Sequence, residues 1–307
     1  MTGPPAAGIW KGISVALTTS FDSGYEVDRA ATVAHAARLV EAGMDSLVVG
    51  GSLGEGETLR REEKGALVET LVESLGARVP IVAAVAATRT SDAVELARGA
   101  SHAGAQGLLV LPPYIYRGDR REVGEHFRAV FRATELPCML YNNPPAYGTD
   151  VLPDLVLELA EEHPTFTAIK ESSGDVRRVS ALRALLGPRL DIAVGVDDAV
   201  LEAVAAGATG WVAGLANALP KESRALFDRS RAGDLDAARA LYRWFLPLLR
   251  MDADPKFVQM IKLVETELGF GSTRVRPPRL ELAGAERDAA LATVRRALAN
   301  RPSLSGA

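Results

Sequence analysis

The strongest constraint on the fold is a regular alternation of short aliphatic runs with longer amphipathic stretches. Eight aliphatic runs recur along the chain, at 13–17, 46–49, 81–85, 107–111, 138–141, 166–169, 191–194 and 210–213. Helical patterns separate them, at 29–42, 62–75, 91–103, 121–133, 153–162, 176–186 and 199–206. Strands that alternate with helices in this way form parallel sheets, because each helix crosses a sheet face to reach the next strand. The pattern therefore predicts an α/β protein.

Two parallel architectures fit this pattern, a closed (β/α)8 TIM barrel and a doubly wound open sheet. The chain has 307 residues, 48% of them hydrophobic, which is enough for one large core. Eight units without a smaller inserted domain favour the barrel, which we expect over residues 1–220. Further helices at 221–249, 255–267 and 283–298 predict a C-terminal extension, residues 221–307, packed on the barrel as one structural unit. Left-handed helix caps are expected at the glycines that precede strands, Gly43, Gly76, Gly104, Gly187 and Gly207.

Composition and charge exclude several classes of partner. The net charge of -4 provides no basic surface for nucleic acid or for an anionic membrane. Cys138 is the only cysteine, so neither an intrachain disulfide nor a cysteine-rich metal cluster can form. No secretory pattern occupies residues 1–10, and no run of about 18 apolar residues follows. We therefore expect a cytoplasmic protein that binds a small molecule and other copies of itself.

Polar residues follow six of the eight predicted strands, at 18–20, 50–55, 112–116, 141–144, 170–173 and 195–198. The carboxyl ends of all strands in a barrel meet at one face, which is where barrel enzymes carry out their chemistry. These segments therefore predict one pocket. The four histidines fall in helical patterns and lack metal-ligand spacing, so no metal site is expected.

Lys170 is the main candidate for chemistry, because it closes the sixth aliphatic run and would point into the crowded barrel mouth. Burial there disfavours the ammonium form and leaves an amine that can attack a carbonyl carbon. Tyr141 ends the fifth run, and its phenol could transfer protons beside that amine. The alternatives are a lysine that reaches solvent or pairs with Glu171, and a tyrosine that only packs.

The glycine-rich segment after the second run predicts an anion site. Backbone N–H groups near Ser52 and Leu53, exposed by Gly51, could hold a substrate carboxylate. The same glycines do not fit the dinucleotide-binding pattern G-x-G-x-x-G, and no Walker lysine follows them. A carboxylate site is therefore preferred over a nucleotide site.

These motifs resemble those of the dihydrodipicolinate synthase and N-acetylneuraminate lyase family of Schiff-base aldolases and dehydratases. Gly51-Ser-Leu-Gly-Glu55 is similar to the family's carboxylate loop, Tyr141-Asn-Asn-Pro144 to its Tyr-Asn-x-Pro motif, and Ile169-Lys-Glu-Ser-Ser-Gly-Asp175 to its lysine strand. The resemblance implies that Lys170 forms an imine with a 2-oxo acid, Tyr141 relays protons and Ser52 with Leu53 binds the carboxylate. It also implies a homotetramer or homodimer and no metal or organic cofactor.

Departures from the family pattern bear on the substrate. Where the synthases carry an arginine after Tyr-Asn-x-Pro, this chain has Pro145-Ala-Tyr147, and Ile115 replaces the tyrosine lent by a neighbouring subunit. The chain looks more like the branch that deaminates 1-pyrroline-4-hydroxy-2-carboxylate to 2,5-dioxopentanoate and ammonia. Tyr141 and Ser52 would then act near C3 and C4. Further substrate contacts are expected at the ends of strands four, five and seven, from Tyr114, Asn143, Tyr147, Gly195 and Asp197.

Three other functions remain open at this point. The first is an aldolase or synthase that uses pyruvate, such as 4-hydroxy-tetrahydrodipicolinate synthase or a 2-keto-3-deoxy acid aldolase. The second is a barrel that binds 2-oxo acids without turnover, and the third is a nucleotide-dependent oxidoreductase. Turnover, adduct formation on Lys170 and a change in nicotinamide absorbance would distinguish them.

Overall fold

A computed structural model of the protein describes residues 8–304, and it is a closed barrel of eight parallel strands. The strands are β1 Gly12–Ala16, β2 Ser46–Val49, β3 Ile81–Val85, β4 Gly107–Val110, β5 Cys138–Asn142, β6 Phe166–Glu171, β7 Asp191–Val194 and β8 Gly210–Ala213. The barrel closes because β1 pairs on both sides, with Ser14 opposite Ser46 of β2 and Val212 of β8. The predicted TIM barrel is confirmed, and the open sheet is wrong. The sequence predicts no secretory leader at residues 1–10, and most of that segment lies outside the described residues.

Helices connect the strands and continue beyond them. Around the barrel they are α1 Arg29–Glu41, α2 Arg61–Leu75, α3 Thr90–His102, α4 Arg120–Phe131, α5 Pro144–Tyr147, α6 Pro153–Glu162, α7 Arg177–Leu186 and α8 Val200–Ala205. The extension contains α9 Pro220–Ala232, α10 Leu235–Leu249, α11 Phe257–Glu267 and α12 Gly284–Ala299. The short α5 was not predicted. It begins at a proline, and the Asn143 side chain accepts from the backbone N–H of Ala146 (3.1 Å), which caps it.

Four of the five glycines predicted to cap helices in the left-handed region have a positive φ angle. Positive φ angles occur at Gly43 (86°), Gly104 (84°), Gly187 (54°) and Gly207 (108°). Gly76 is a correction, because its φ is -61° and its N–H donates to the Val72 carbonyl (2.9 Å). The right-handed path of α2 continues through Gly76, so the chain turns only after it.

The hydrophobic core has two layers because each parallel strand is buried on both faces. The inner layer fills the barrel and includes Val48, Val82, Leu109 and Met139. At the amino end of the barrel, Trp10 closes this layer and donates from its indole N–H to Thr167 Oγ1 (2.8 Å). The other end is left free for polar side chains.

The outer layer joins the strands to the surrounding helices and to the C-terminal extension. Leu226, Phe245 and Ile261 of the extension are buried in the same cluster as outward-facing residues of the strands. No helix within residues 8–304 is both long and apolar enough to cross a membrane. The same part of the chain contains no group of three or more His, Cys, Asp or Glu arranged to hold a metal ion.

Candidate active site

A cavity of about 630 Å³ lies at the carboxyl ends of the strands. The predicted site residues that line it are Gly51, Ser52, Leu53, Tyr114, Tyr141, Asn143, Tyr147, Lys170 and Gly195. They come from the ends of β2, β4, β5, β6 and β7, which the barrel brings to one face. The polar segment after β1 does not contribute as predicted, because Thr18 donates to Glu265 and Thr19 to the Gly54 carbonyl.

Lys170 is buried, with 7% of its surface exposed, and its side chain points into the cavity from β6. Burial lowers its pKa, while the carboxyl groups of Asp252 and Asp197 act in the opposite direction when they are ionised. The alternative pairing with Glu171 does not occur. Neighbouring residues on a strand face opposite sides, and the Glu171 carboxylate accepts from the Asn142 side chain (3.0 Å) and the Ser173 N–H (2.6 Å).

Gly195 gives the lysine side chain its path across the end of β7. A β-carbon at this position would lie 2.3 Å from Lys170 Cε and 2.2 Å from Ser172 Oγ, which is too close for any side chain. Gly195 therefore lines the cavity as predicted, and its missing side chain makes room for Lys170.

Tyr141 lies beside Lys170 because the two residues are register partners on β5 and β6. The Lys170 Nζ lies 4.0 Å from the centre of the Tyr141 ring. Asn143 donates to the Tyr141 hydroxyl (2.9 Å), and burial raises the pKa of that phenol, which favours its protonated form at neutral pH. The phenol can therefore donate a proton next to the lysine.

Tyr147 extends this group of hydroxyls toward the glycine-rich loop. Its ring meets that of Tyr141 edge to face, with 5.6 Å between centres, and its hydroxyl is 2.5 Å from Ser52 Oγ. Ser52 and Tyr147 belong to different βα units, so their contact joins the ends of β2 and β5. A run of hydroxyl groups thus crosses the cavity from the loop to the lysine.

Asp197 is a correction, because it does not line the cavity. Its carboxylate is fully buried and accepts from the Trp211 indole (2.8 Å) and from the N–H groups of Gly214 (3.1 Å) and Leu215 (2.7 Å). Burial raises its pKa to about 6. Asp197 therefore links the chain after β7 to the chain after β8. The sequence had predicted a substrate contact from this residue, at the end of the seventh strand.

Several cavity residues were not predicted individually, although Ser172 lies in the polar segment 170–173 that was expected at the pocket. Ser172 is buried, and its hydroxyl has no well-formed hydrogen bond among the described residues. Its position two residues after Lys170 could have identified it. Glu57 and Arg279 form an ion pair at the cavity, and Asp252 reaches it from the chain between α10 and α11. The sequence offers no local signal for Arg279 and Asp252, because both lie beyond the eight βα units.

The fold and the site together define a (β/α)8-barrel enzyme of the class I aldolase and lyase type. Residues 9–297 match the sequence profile of the Dihydrodipicolinate synthetase family, and the chain belongs to that family. It is 33% identical over 283 residues to a 4-hydroxy-tetrahydrodipicolinate synthase of Pelobacter propionicus, an alignment that covers 91% of this chain and 96% of the relative. The resemblance found in the motifs is thus confirmed at the family level.

Solved structures agree with this assignment. A dihydrodipicolinate synthase from Aquifex aeolicus superposes with a TM-score of 0.90 at 28% identity, covering 94% of this chain and 98% of that one. YagE, a prophage protein of the dihydrodipicolinic acid synthase family from E. coli K12, was solved in complex with pyruvate. It superposes with a TM-score of 0.88 at 28% identity and the same coverage.

Proposed function

We propose that the protein is a Schiff-base lyase in which Lys170 attacks the C2 carbon of a small 2-oxo acid or its cyclic imine. The observation that carries this proposal is a buried lysine, with a lowered pKa, that lines the main cavity of the barrel beside a phenol. The resulting imine draws electrons from the neighbouring C–H bond, so no separate electron sink is required. Neither a metal nor an organic cofactor is proposed.

The glycine-rich loop supports the placement of the substrate carboxylate. Within residues 8–304, the N–H groups of Ser52 and Leu53 donate to no backbone or side-chain acceptor of the protein. Both residues line the cavity, and β2 lies across the barrel from β6. Two adjacent free N–H groups suit a carboxylate, so the C1 group would bind here and C2 would face Lys170.

We further propose that the substrate is 1-pyrroline-4-hydroxy-2-carboxylate. Lys170 would add to the ring imine, the ring would open, C3 would lose a proton and the C4 hydroxyl would leave. C5 would then lose a proton and C3 would gain one, which moves the double bond and, after tautomerisation, turns the C5 amine into an imine. Hydrolysis of the C5 and C2 imines would release ammonia and 2,5-dioxopentanoate and restore the Lys170 amine. Pro145, Ala146 and Tyr147 line the cavity where the resemblance places the arginine of the synthases, so this loop offers no cation for a second carboxylate.

A pyruvate-dependent aldolase or synthase is the second candidate. The Pelobacter propionicus relative bears the name of a synthase, and the YagE structure contains pyruvate. In that reaction Lys170 would form its imine with pyruvate, and the enamine would add to an aldehyde. The two candidates therefore share the imine and differ in what happens at C4.

Borohydride trapping followed by intact-mass measurement and peptide mapping tests the proposal. The wild-type protein and the Lys170→Ala variant are incubated separately with pyruvate and with 1-pyrroline-4-hydroxy-2-carboxylate, and turnover of each compound is measured in parallel. Lys221→Ala is the control, because Lys221 is exposed at the start of α9. Lys64, whose pKa is also lowered by burial but which does not line the cavity, reports on nonspecific reaction in the peptide map.

We expect an adduct on Lys170 in the wild-type and Lys221→Ala proteins, no adduct in Lys170→Ala, and turnover of the hydroxylated imine. Turnover of pyruvate with an aldehyde, and not of the imine, would assign the second candidate. Saturable binding that survives in Lys170→Ala without any turnover would reject both and identify a binding protein.

A further inference from the structure

We propose that Asp252 is a catalytic acid–base residue that exchanges a proton with the oxygen on C4 of the substrate. This inference rests on the proposed Schiff-base function of Lys170 and adds a residue from outside the eight βα units. Asp252 follows α10 and lines the same cavity as Lys170.

The position of Asp252 depends on a glycine at the end of β8. A β-carbon on Gly214 would lie only 1.9 Å from Asp252 Oδ1, so the carboxyl group occupies the space that a side chain would fill. Gly214 also lines the cavity. The missing side chain at Gly214 therefore lets a carboxyl group from the C-terminal extension reach the barrel mouth.

Of the carboxyl groups that line the cavity, Asp252 and Asp254 have no side-chain partner in the described chain. Glu57 is paired with Arg279, and Asp254 accepts from the Lys256 N–H (2.7 Å). Asp252 forms no well-formed side-chain hydrogen bond within residues 8–304, and the nearby backbone N–H of Asp197 acts to lower its pKa. It forms no ion pair with Lys170 within 4.0 Å, although the two side chains interact electrostatically. Its carboxyl group is therefore free to contact a ligand in the cavity.

The charges that face Asp252 favour its neutral form. Burial is the largest effect, and the negative charges of Asp197 and Asp198 add to it, while Lys170 acts in the opposite direction. Together they raise the pKa of Asp252 well above the ordinary value of 3.8. A carboxyl group with a raised pKa holds a proton over a wider pH range than an ordinary aspartate, so it is better suited to donate one.

Tyr141 and Asp252 approach Lys170 from different sides of the barrel. Tyr141 belongs to β5, on one side of β6, whereas Asp252 lies against the end of β8, beyond β7 on the other side. With the carboxylate at the glycine-rich loop and C2 at Lys170, this leaves Tyr141 and Ser52 for the proton on C3. Asp252 is then the group available for the oxygen on C4.

The elimination step balances with this assignment. After C3 has lost its proton, the enamine nitrogen re-forms the imine, and the C2–C3 electron pair becomes the C3–C4 double bond. The C4–O bond breaks, its electron pair stays on oxygen, and that oxygen takes the Asp252 proton and leaves as water. In the aldol reaction the same carboxyl group would protonate the aldehyde oxygen, which becomes the C4 hydroxyl.

The test compares the wild-type protein with Asp252→Asn, which keeps the shape of the side chain but does not titrate. Three quantities are measured: the pyruvate adduct on Lys170, turnover of both candidate substrates, and the masses of the adducts trapped with the hydroxylated imine. Asp236→Asn is the control, because Asp236 is a fully exposed aspartate of α10. If Asp252→Asn does not fold, as judged by circular dichroism, Asp252→Ala provides the same comparison.

We expect Asp252→Asn to form the pyruvate adduct normally but to lose turnover by roughly 100-fold or more, the range of general acid catalysis. With the imine as substrate, its trapped adduct should keep the C4 hydroxyl and the C5 amine, because elimination is blocked. That adduct is one water heavier than the eliminated intermediate, and it also differs in mass from the wild-type adduct that has lost ammonia. Turnover within about threefold of the wild type would overturn the proposal. So would loss of the pyruvate adduct, which would make Asp252 a positioning residue for Lys170.

These outcomes are separable from those of the proposed function. The wild-type protein alone decides which substrate is turned over, and the ratio of variant to wild type on that substrate decides the role of Asp252. Wild-type protein that turns over neither substrate would overturn both proposals.

Discussion

Two opposing effects act on the proton of Lys170, and their balance decides whether the amine can react. Burial lowers its pKa, and the carboxyl groups of Asp252 and Asp197 raise it when they are ionised. Because burial is the larger effect, the neutral amine is more accessible than in an exposed lysine. The Lys170 side chain can cross the end of β7 because Gly195 has no β-carbon. The neighbouring phenol that can donate a proton is that of Tyr141. At this scale the site consists of an amine and a phenol in contact.

Replacement of Tyr141 by phenylalanine tests the phenol. The variant keeps the ring beside Lys170 but removes the hydroxyl that Asn143 contacts. We expect turnover to fall by roughly tenfold or more, because general acid–base catalysis is lost, while the Lys170 adduct remains detectable by borohydride trapping. Tyr25→Phe, at an exposed tyrosine, is the control. Unchanged turnover in Tyr141→Phe would remove this phenol from the mechanism.

At the scale of elements, the loop between β2 and α2 takes its shape from the C-terminal extension. Glu55 has a positive φ of 54°, which a side-chain-bearing residue rarely adopts. Its buried carboxylate accepts from Lys262 Nζ on α11 (2.6 Å) and from the Arg276 N–H (2.9 Å). The loop that carries Ser52 and Leu53 is therefore held by residues far along the chain.

Loss of this ion pair should destabilise the whole protein. In Lys262→Met the Glu55 carboxylate stays buried without its cation, and we expect unfolding to require about 3 to 5 kcal/mol less free energy. Urea denaturation followed by circular dichroism measures the difference. Lys256→Met breaks an exposed pair with Glu286 and should cost at most about 1 kcal/mol. Equal effects of the two variants would contradict a structural role for the buried pair.

At the scale of the whole molecule, a pair of exposed hydrophobic side chains, here called the apolar projection, indicates self-association. Ile115 and Tyr116, in the chain between β4 and α4, are 87% and 60% exposed. Ile115 also has a positive φ of 79°, an unfavourable conformation for a β-branched residue. Neighbouring exposed apolar side chains of this kind are typical of subunit interfaces. We therefore propose that this projection packs against a second copy of the chain.

Ile115→Asp tests that proposal by analytical ultracentrifugation. We expect the wild-type protein to sediment as a dimer or tetramer and the variant to shift toward smaller species, because burial of a charged residue disfavours association. Leu185→Asp, at a half-exposed leucine of α7, should leave the mass unchanged. A monomeric wild-type protein would refute the proposal.

The sequence by itself determined the barrel and the positions of Lys170 and Tyr141. Strand and helix periodicities are local, so eight βα units could be counted and their ends located to within a few residues. Parallel strands in a barrel place their carboxyl ends on one face, which is why residues at strand ends were expected to meet. Nine of the ten predicted site residues line the cavity for this reason.

Only the tertiary structure decided the direction of particular side chains and the contribution of the C-terminal extension. Asp197 follows β7 as predicted, yet its carboxylate turns away from the cavity because Trp211 and two backbone N–H groups near Leu215 bind it. Asp252 joins the site because α10 ends above Gly214. Contacts between distant segments depend on how the helices pack on the closed barrel. The periodicity of the sequence predicts local secondary structure and contains no information about that packing.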